Sequence, residues 1–128
     1  MFMDVKNNGF TLIETLIAVV IIATGVLISF LFFLRASAVN EMARDITIAT
    51  THSDYVLEEM YGLSSLNSIT ETNWQTWAAN EGLDDLPEES ISVAYQDIDA
   101  NPLEIAVTVN WSRKTRPYNM TFITELTK

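Results

Sequence analysis

Cysteine is missing from all 128 residues. No disulfide can staple the fold, and no thiolate can hold a metal. Histidine occurs once, as His52. A catalytic pair or metal cluster built on it would need carboxylates distant in sequence. Its neighbours Ser53 and Asp54 cannot serve, because adjacent residues on a helix do not face each other. A surface or packing histidine is expected. The four glycines are never grouped, so a glycine-rich phosphate loop is excluded. Nothing here argues for an enzyme or a cofactor. Proline first appears at Pro87, so no residue upstream of it forces a kink in a helix.

Basic residues are scarce as well. Seven Lys and Arg stand against 17 Asp and Glu, a net charge of −10. From Asp45 to Glu104 there are thirteen acids and no Lys or Arg. Phosphate neutralisation needs clustered cations, so direct nucleic-acid binding is not expected. The acid excess reads as solvated surface.

Apolar residues are plentiful and unevenly spread. Phe10 to Leu34 contains one charge, Glu14, and Thr15 to Leu34 is a twenty-residue uncharged block. At 1.5 Å per residue that block spans about 30 Å, the thickness of a bilayer's hydrocarbon core. The remaining 94 residues, Arg35 to Lys128, suffice for one modest core.

Composition divides the chain further. Met1 to Gly9 is a short polar leader carrying Asp4 and Lys6. Residues 10–61 read as one long helix, about 78 Å if unbroken. Its first half, 10–34, is transmembrane in character. Its second half, 35–61, is amphipathic, with a seam through Val39, Ile46, Ser53 and Met60. Met42/Ala43, Ala49/Thr50 and Val56/Leu57 fill the half-steps, whereas Glu41, Arg44, Asp45, Asp54, Glu58 and Glu59 mostly lie off the seam. Gly62 suggests a left-handed helix stop. Residues 62–90 form a polar connection in which Trp74 and Trp77, three apart, suggest a turn or two of helix with core aromatics.

From Ile91 the period becomes two. Ile91, Val93 and Tyr95 alternate with polar or small residues. Leu103, Ile105, Val107, Val109 and Trp111 do the same, and Tyr118, Met120, Phe122, Thr124 and Leu126 follow. Three antiparallel strands over 91–127, with SRKTRP as a hairpin connection, need cover on one face. The helix seam is the nearest partner. The expected class is α+β, a long helix packed on a small antiparallel sheet of about three strands.

The apolar run admits three readings. Ala36-Ser37-Ala38 fits a signal-peptide cleavage site, but the run far exceeds the usual 7–15 residues. A plain anchor for an external binding domain explains the run but neither Glu14 nor the Gly9–Phe10 junction. An acid at a bilayer's centre costs roughly 2.5–3.5 kcal/mol, which calls for a reason. The junction supplies one. GFTLIE, with a nine-residue leader and a lone acid ahead of an apolar run, resembles the class III signal of type IV pilins and pseudopilins. Many leaders in that family place a basic residue directly before the glycine, whereas Asn7 and Asn8 follow Lys6 here.

The resemblance implies cutting after Gly9 by a prepilin peptidase on the cytoplasmic side, and methylation of the new amine on Phe10. It also implies that Glu14 pairs with the Phe10 amine of a neighbouring subunit and sets axial register, while residues 15–34 form the fibre core. An α-amine is cationic at neutral pH, and four residues place it on the face of Glu14. Gly25 suits close helix approach. Without a C-terminal disulfide, and with a tail of the form VTVNW…YNMTFITELT, the chain looks like a minor pilin of the modification class or an I-type minor pseudopilin. Implied partners are the prepilin peptidase, other pilin subunits and an inner-membrane assembly platform. Implied placement is single-pass in the inner membrane, N-terminus cytoplasmic and domain 35–128 periplasmic, followed by a pilus or pseudopilus. The alternative is a membrane-anchored periplasmic binding domain outside any fibre.

Two clusters remain. Asp84, Asp85, Glu88 and Glu89 are weak Ca²⁺ candidates, because their spacing matches no EF-hand. A solvated acidic loop, with no metal, is the expectation. Arg113, Lys114 and Arg116 form a basic hairpin tip that either protects a strand edge or complements the acidic section of an adjacent subunit.

Overall fold

The computed structural model describes residues 9–128. Leader residues 1–8, including Asp4 and Lys6, lie outside the described residues. The chain forms two compact units, 1–41 and 42–128. A single helix, α1 (Leu12–Gly62), contributes to both.

Within the first unit, every described residue is exposed, including the large side chains of Phe10, Ile13, Leu16, Phe30 and Phe33. This stretch is long and apolar enough to cross a membrane, and none of it is buried against the chain itself. Water does not tolerate so continuous an apolar surface, so lipid or partner helices must cover it.

The second unit is α+β. After α1 come α2 (Leu66–Glu71), α3 (Trp74–Asn80), β1 (Ser90–Tyr95), β2 (Leu103–Arg113) and β3 (Arg116–Leu126). The strands form an antiparallel sheet in the order β1-β2-β3. Register follows the alternation. Ile91 faces Val109 and Val93 faces Val107, while Val109 faces Met120, Val107 faces Phe122 and Trp111 faces Tyr118. Each of these pairs lies on one side of the sheet, so the apolar parity of all three strands meets one core. Trp111 and Tyr118 stack at 5.8 Å. The hairpin turn is tighter than the SRKTRP segment suggests. Only Lys114 and Thr115 separate the strands, and both are left-handed, as a two-residue turn matching strand twist requires.

The buried face of α1 differs from the expected seam. It comprises Asp45, Ala49, His52, Ser53, Val56 and Met60. Val39 is exposed, whereas Asp45, expected off the seam, is buried. Periodicity finds apolar faces, and this face contains two polar side chains whose partners arrive from elsewhere in the fold. The helix stop is also corrected. Gly62 is the last residue of α1 without a left-handed backbone, and Leu63 N–H bonds back to Met60 O at 3.3 Å. The final turn holds no basic residue of its own, and Lys128 Nζ supplies one by donating to Tyr61 O at 2.7 Å.

The connection over 62–90 carries more helix than its composition suggests. Ser65 Oγ accepts from Ser68 N to cap α2, and Asn73 Oδ1 accepts from Thr76 N to cap α3. At the other end of α3, Gly82 is left-handed (φ 75°), with Leu83 N bonded to Ala78 O and Gly82 N to Ala79 O. That pair of bonds is a Schellman stop, which the missing Cβ of glycine permits. Trp74 is buried as expected, and its indole N–H is shared between Ile69 O at 2.9 Å and Tyr95 Oη at 3.0 Å. Trp77 packs half-buried at the edge of the core.

Candidate functional site

Gly9 and Phe10 lie exposed in non-helical chain just before α1, so the peptide bond between them is outside the helix. Helix was expected from Phe10, but α1 begins at Leu12. The reason is local hydrogen bonding. Thr11 N and Thr11 Oγ1 both donate to Glu14 Oε2 at 2.9 Å, and Glu14 N donates back to Thr11 Oγ1 at 3.3 Å. This reciprocal pattern is a capping box, in which a hydroxyl residue and an acid three positions later satisfy the first free amides of a helix. It also holds the carboxylate beside the helix N-terminus, where negative charge is favoured. Among the described residues Oε1 of Glu14 has no partner. The lone acid of the apolar run is thus oriented, and one of its oxygens stays open. The structure shows Gly9, Phe10 and Glu14 within one short segment. Cleavage, methylation and subunit pairing are events beyond it.

The acidic loop meets α1 at His52. His52 Nδ1 lies 2.6 Å from Glu89 Oε1, and Nε2 lies 3.0 Å from Asp85 Oδ2. Glu89 has a fully buried side chain, and its second oxygen accepts Leu86 N at 2.9 Å. Asp85 remains mostly exposed. Each ring nitrogen lies within hydrogen-bond distance of a carboxylate oxygen, so the imidazole clasps the loop to α1. Asp84 and Glu88 are exposed. Among the described residues no three His, Asp or Glu side chains converge as a metal group. His52 is therefore a buried, polar-bonded residue and not a surface one. Its acids lie 33 and 37 positions downstream, and no local signal in the sequence could have paired them.

The basic hairpin is also divided by the structure. Arg113 Nε and Nη2 each reach an Asp45 oxygen at 2.6 Å, the two-pronged geometry that a guanidinium offers a carboxylate. Arg113 thus serves its own chain. Arg116, its cross-strand neighbour, is exposed and has no ion pair among the described residues.

Comparison with known proteins locates one match. Residues 5–30 fit the family model described as the prokaryotic N-terminal methylation motif, the type IV prepilin signal. It spans the Gly9–Phe10 junction, the Thr11–Glu14 box and most of the apolar run. No curated protein and no solved structure matches the chain.

Proposed function

We propose that this chain is a minor subunit of a type IV pilus or a type II secretion pseudopilus, assembling through its N-terminal helix and catalysing nothing itself. Its signal is that of a prepilin-peptidase substrate. One observation carries the reading: a single oriented carboxylate, Glu14, stands in the first turn of α1, directly ahead of an uncharged apolar run, residues 15–34, that is exposed throughout. Removal of residues 1–9 leaves an ammonium on Phe10, beside the Thr11 that positions the acid. Buried among partner helices, neither charge is tolerable alone. A Phe10 amine from one copy meeting the open oxygen of Glu14 on the next resolves both, and repetition of that pairing sets axial register. The exposed apolar side chains of residues 15–34 then bury against one another in the fibre core. Before assembly the same run lies in the inner membrane, with domain 35–128 on the periplasmic side.

N-terminal sequencing and mass measurement of protein from cells test the reading. The expected mature chain starts at methylated Phe10. Glu14→Ala should insert in the membrane and be processed, yet be depleted from sheared fibres. An intact Met1, or Glu14→Ala incorporated as well as wild type, would overturn it in favour of a membrane-tethered domain outside any fibre.

A further inference from the structure

Unit 42–128 leaves a paired aromatic surface open between α1 and α3. Tyr55 on α1 and Trp77 on α3 lie with ring centroids 5.7 Å apart, and Trp77 meets the buried Trp74 edge-on at 5.4 Å. Tyr55 is 42% exposed, and its hydroxyl donates to Glu81 Oε2 at 3.4 Å. The Glu81 carboxylate, with Glu59 and Glu58 beyond it, pushes the Tyr55 phenol up from its ordinary range. None of these three acids has an ion-pair partner among the described residues, and residues 45–104 contain no Lys or Arg that could supply one. An electron-rich aromatic wall rimmed by carboxylate is the chemistry that receives a guanidinium or ammonium.

The chain carries a matching cation elsewhere on its surface. Arg113 and Arg116 sit opposite each other at the end of the β2–β3 hairpin. Asp45 pairs with Arg113, and the tip exposes Arg116 beside Lys114, with no ion pair to Arg116 among the described residues.

We propose that Arg116 of one copy docks on the Tyr55–Trp77 wall and the Glu81 carboxylate of a second copy. The occupant follows from charge complementarity between two surfaces of the same unit. The Arg113–Asp45 contact places the hairpin tip level with residue 45 of α1. Tyr55 lies ten residues further on, about 15 Å at 1.5 Å per residue. With the two helices parallel, as the fibre reading requires, a copy whose tip meets the neighbour's Tyr55 is displaced by about 15 Å along α1. Wall and tip are different surfaces, so the contact is heterologous and repeats without closing. It deepens the fibre reading by giving the domain its own stagger, independent of Glu14.

The natural absence of cysteine makes the test free of background. Arg116→Cys and Glu81→Cys are placed in separate chains, co-expressed, and oxidised in isolated membranes. A mixed disulfide dimer is expected, about tenfold above that of either variant alone or of Asn119→Cys with Glu81→Cys. In fibres, Arg116→Glu should lower incorporation, and Glu81→Arg in the co-expressed chain should restore it. All these positions are exposed, so folding is preserved. No mixed dimer, an equal yield with Asn119→Cys, or capture of a different protein by Glu81→Cys would overturn the docking. The N-terminus is read in the same membranes. Methylated Phe10 without the dimer sinks only the docking, and the dimer with an intact Met1 sinks only the fibre reading.

Discussion

Asp45 and Arg113, 68 residues apart in sequence, hold each other through two hydrogen bonds of 2.6 Å, with the carboxylate 2% exposed. The pair ties the β2–β3 hairpin to α1 and makes a charged residue acceptable on a helix face that otherwise packs into the core. Its strength lies in completeness, since desolvating one of these charges without the other is costly.

Breaking this pair from one side should therefore be severe. Asp45→Ala is expected to destabilise unit 42–128 by about 3–5 kcal/mol, whereas Asp45→Leu with Arg113→Met should recover most of that loss. Urea unfolding of the detergent-solubilised chain, followed by tryptophan fluorescence, measures both. An Asp45→Ala chain as stable as wild type would remove the tie.

The His52 clasp predicts a local effect. His52→Ala leaves the buried Glu89 carboxylate with only Leu86 N as donor, and should cost about 1.5–3 kcal/mol. It should also release residues 84–89, seen as faster amide exchange at Leu86. Adding Glu89→Ala should cost less than the two single changes summed, because the partners are then removed together. Strict additivity would show that they do not interact.

Tyr95 gives a pH prediction. Burial raises its phenol, and the bond with the Trp74 indole only partly offsets this. A phenol raised in the folded state is ionised first in the unfolded chain. Its contribution is thus complete below the unfolded value of about 10 and is lost as pH rises beyond it. Tyr95→Phe, which gives up the bond to Ile69 O, should be less stable at pH 7 by about 1 kcal/mol. Its melting temperature should fall less steeply than wild type between pH 9 and 11. Parallel slopes would assign the alkaline loss to other groups.

Much of the architecture was legible from one-dimensional pattern. Period-two alternation from Leu103 to Trp111 placed the sheet, the absence of proline before Pro87 allowed one long helix, and GFTLIE identified the prepilin signal. What escaped depends on contacts between distant segments. Asp45 and His52 look like solvated positions until Arg113, Asp85 and Glu89 are brought to them. α2 was missed because LNSITE is polar and short, and its Ser65 cap becomes informative only once Ile69 is seen buried. The Gly62 stop was a misreading of a different kind. A glycine after a long helix suggests a left-handed end, but the glycine that takes that conformation at a helix end is Gly82, after α3.

Sequence by itself determined the apolar run, its single acid, the processing signal and the strand faces, because each follows from local order along the chain: hydropathy, spacing and side-chain period. Only tertiary structure decided which polar side chains of α1 turn inward and which of the hairpin's cations turns to meet them. Those choices belong to whichever partner the fold brings within about 3 Å, a distance at which one hydrogen bond outweighs any average preference of the residue for water.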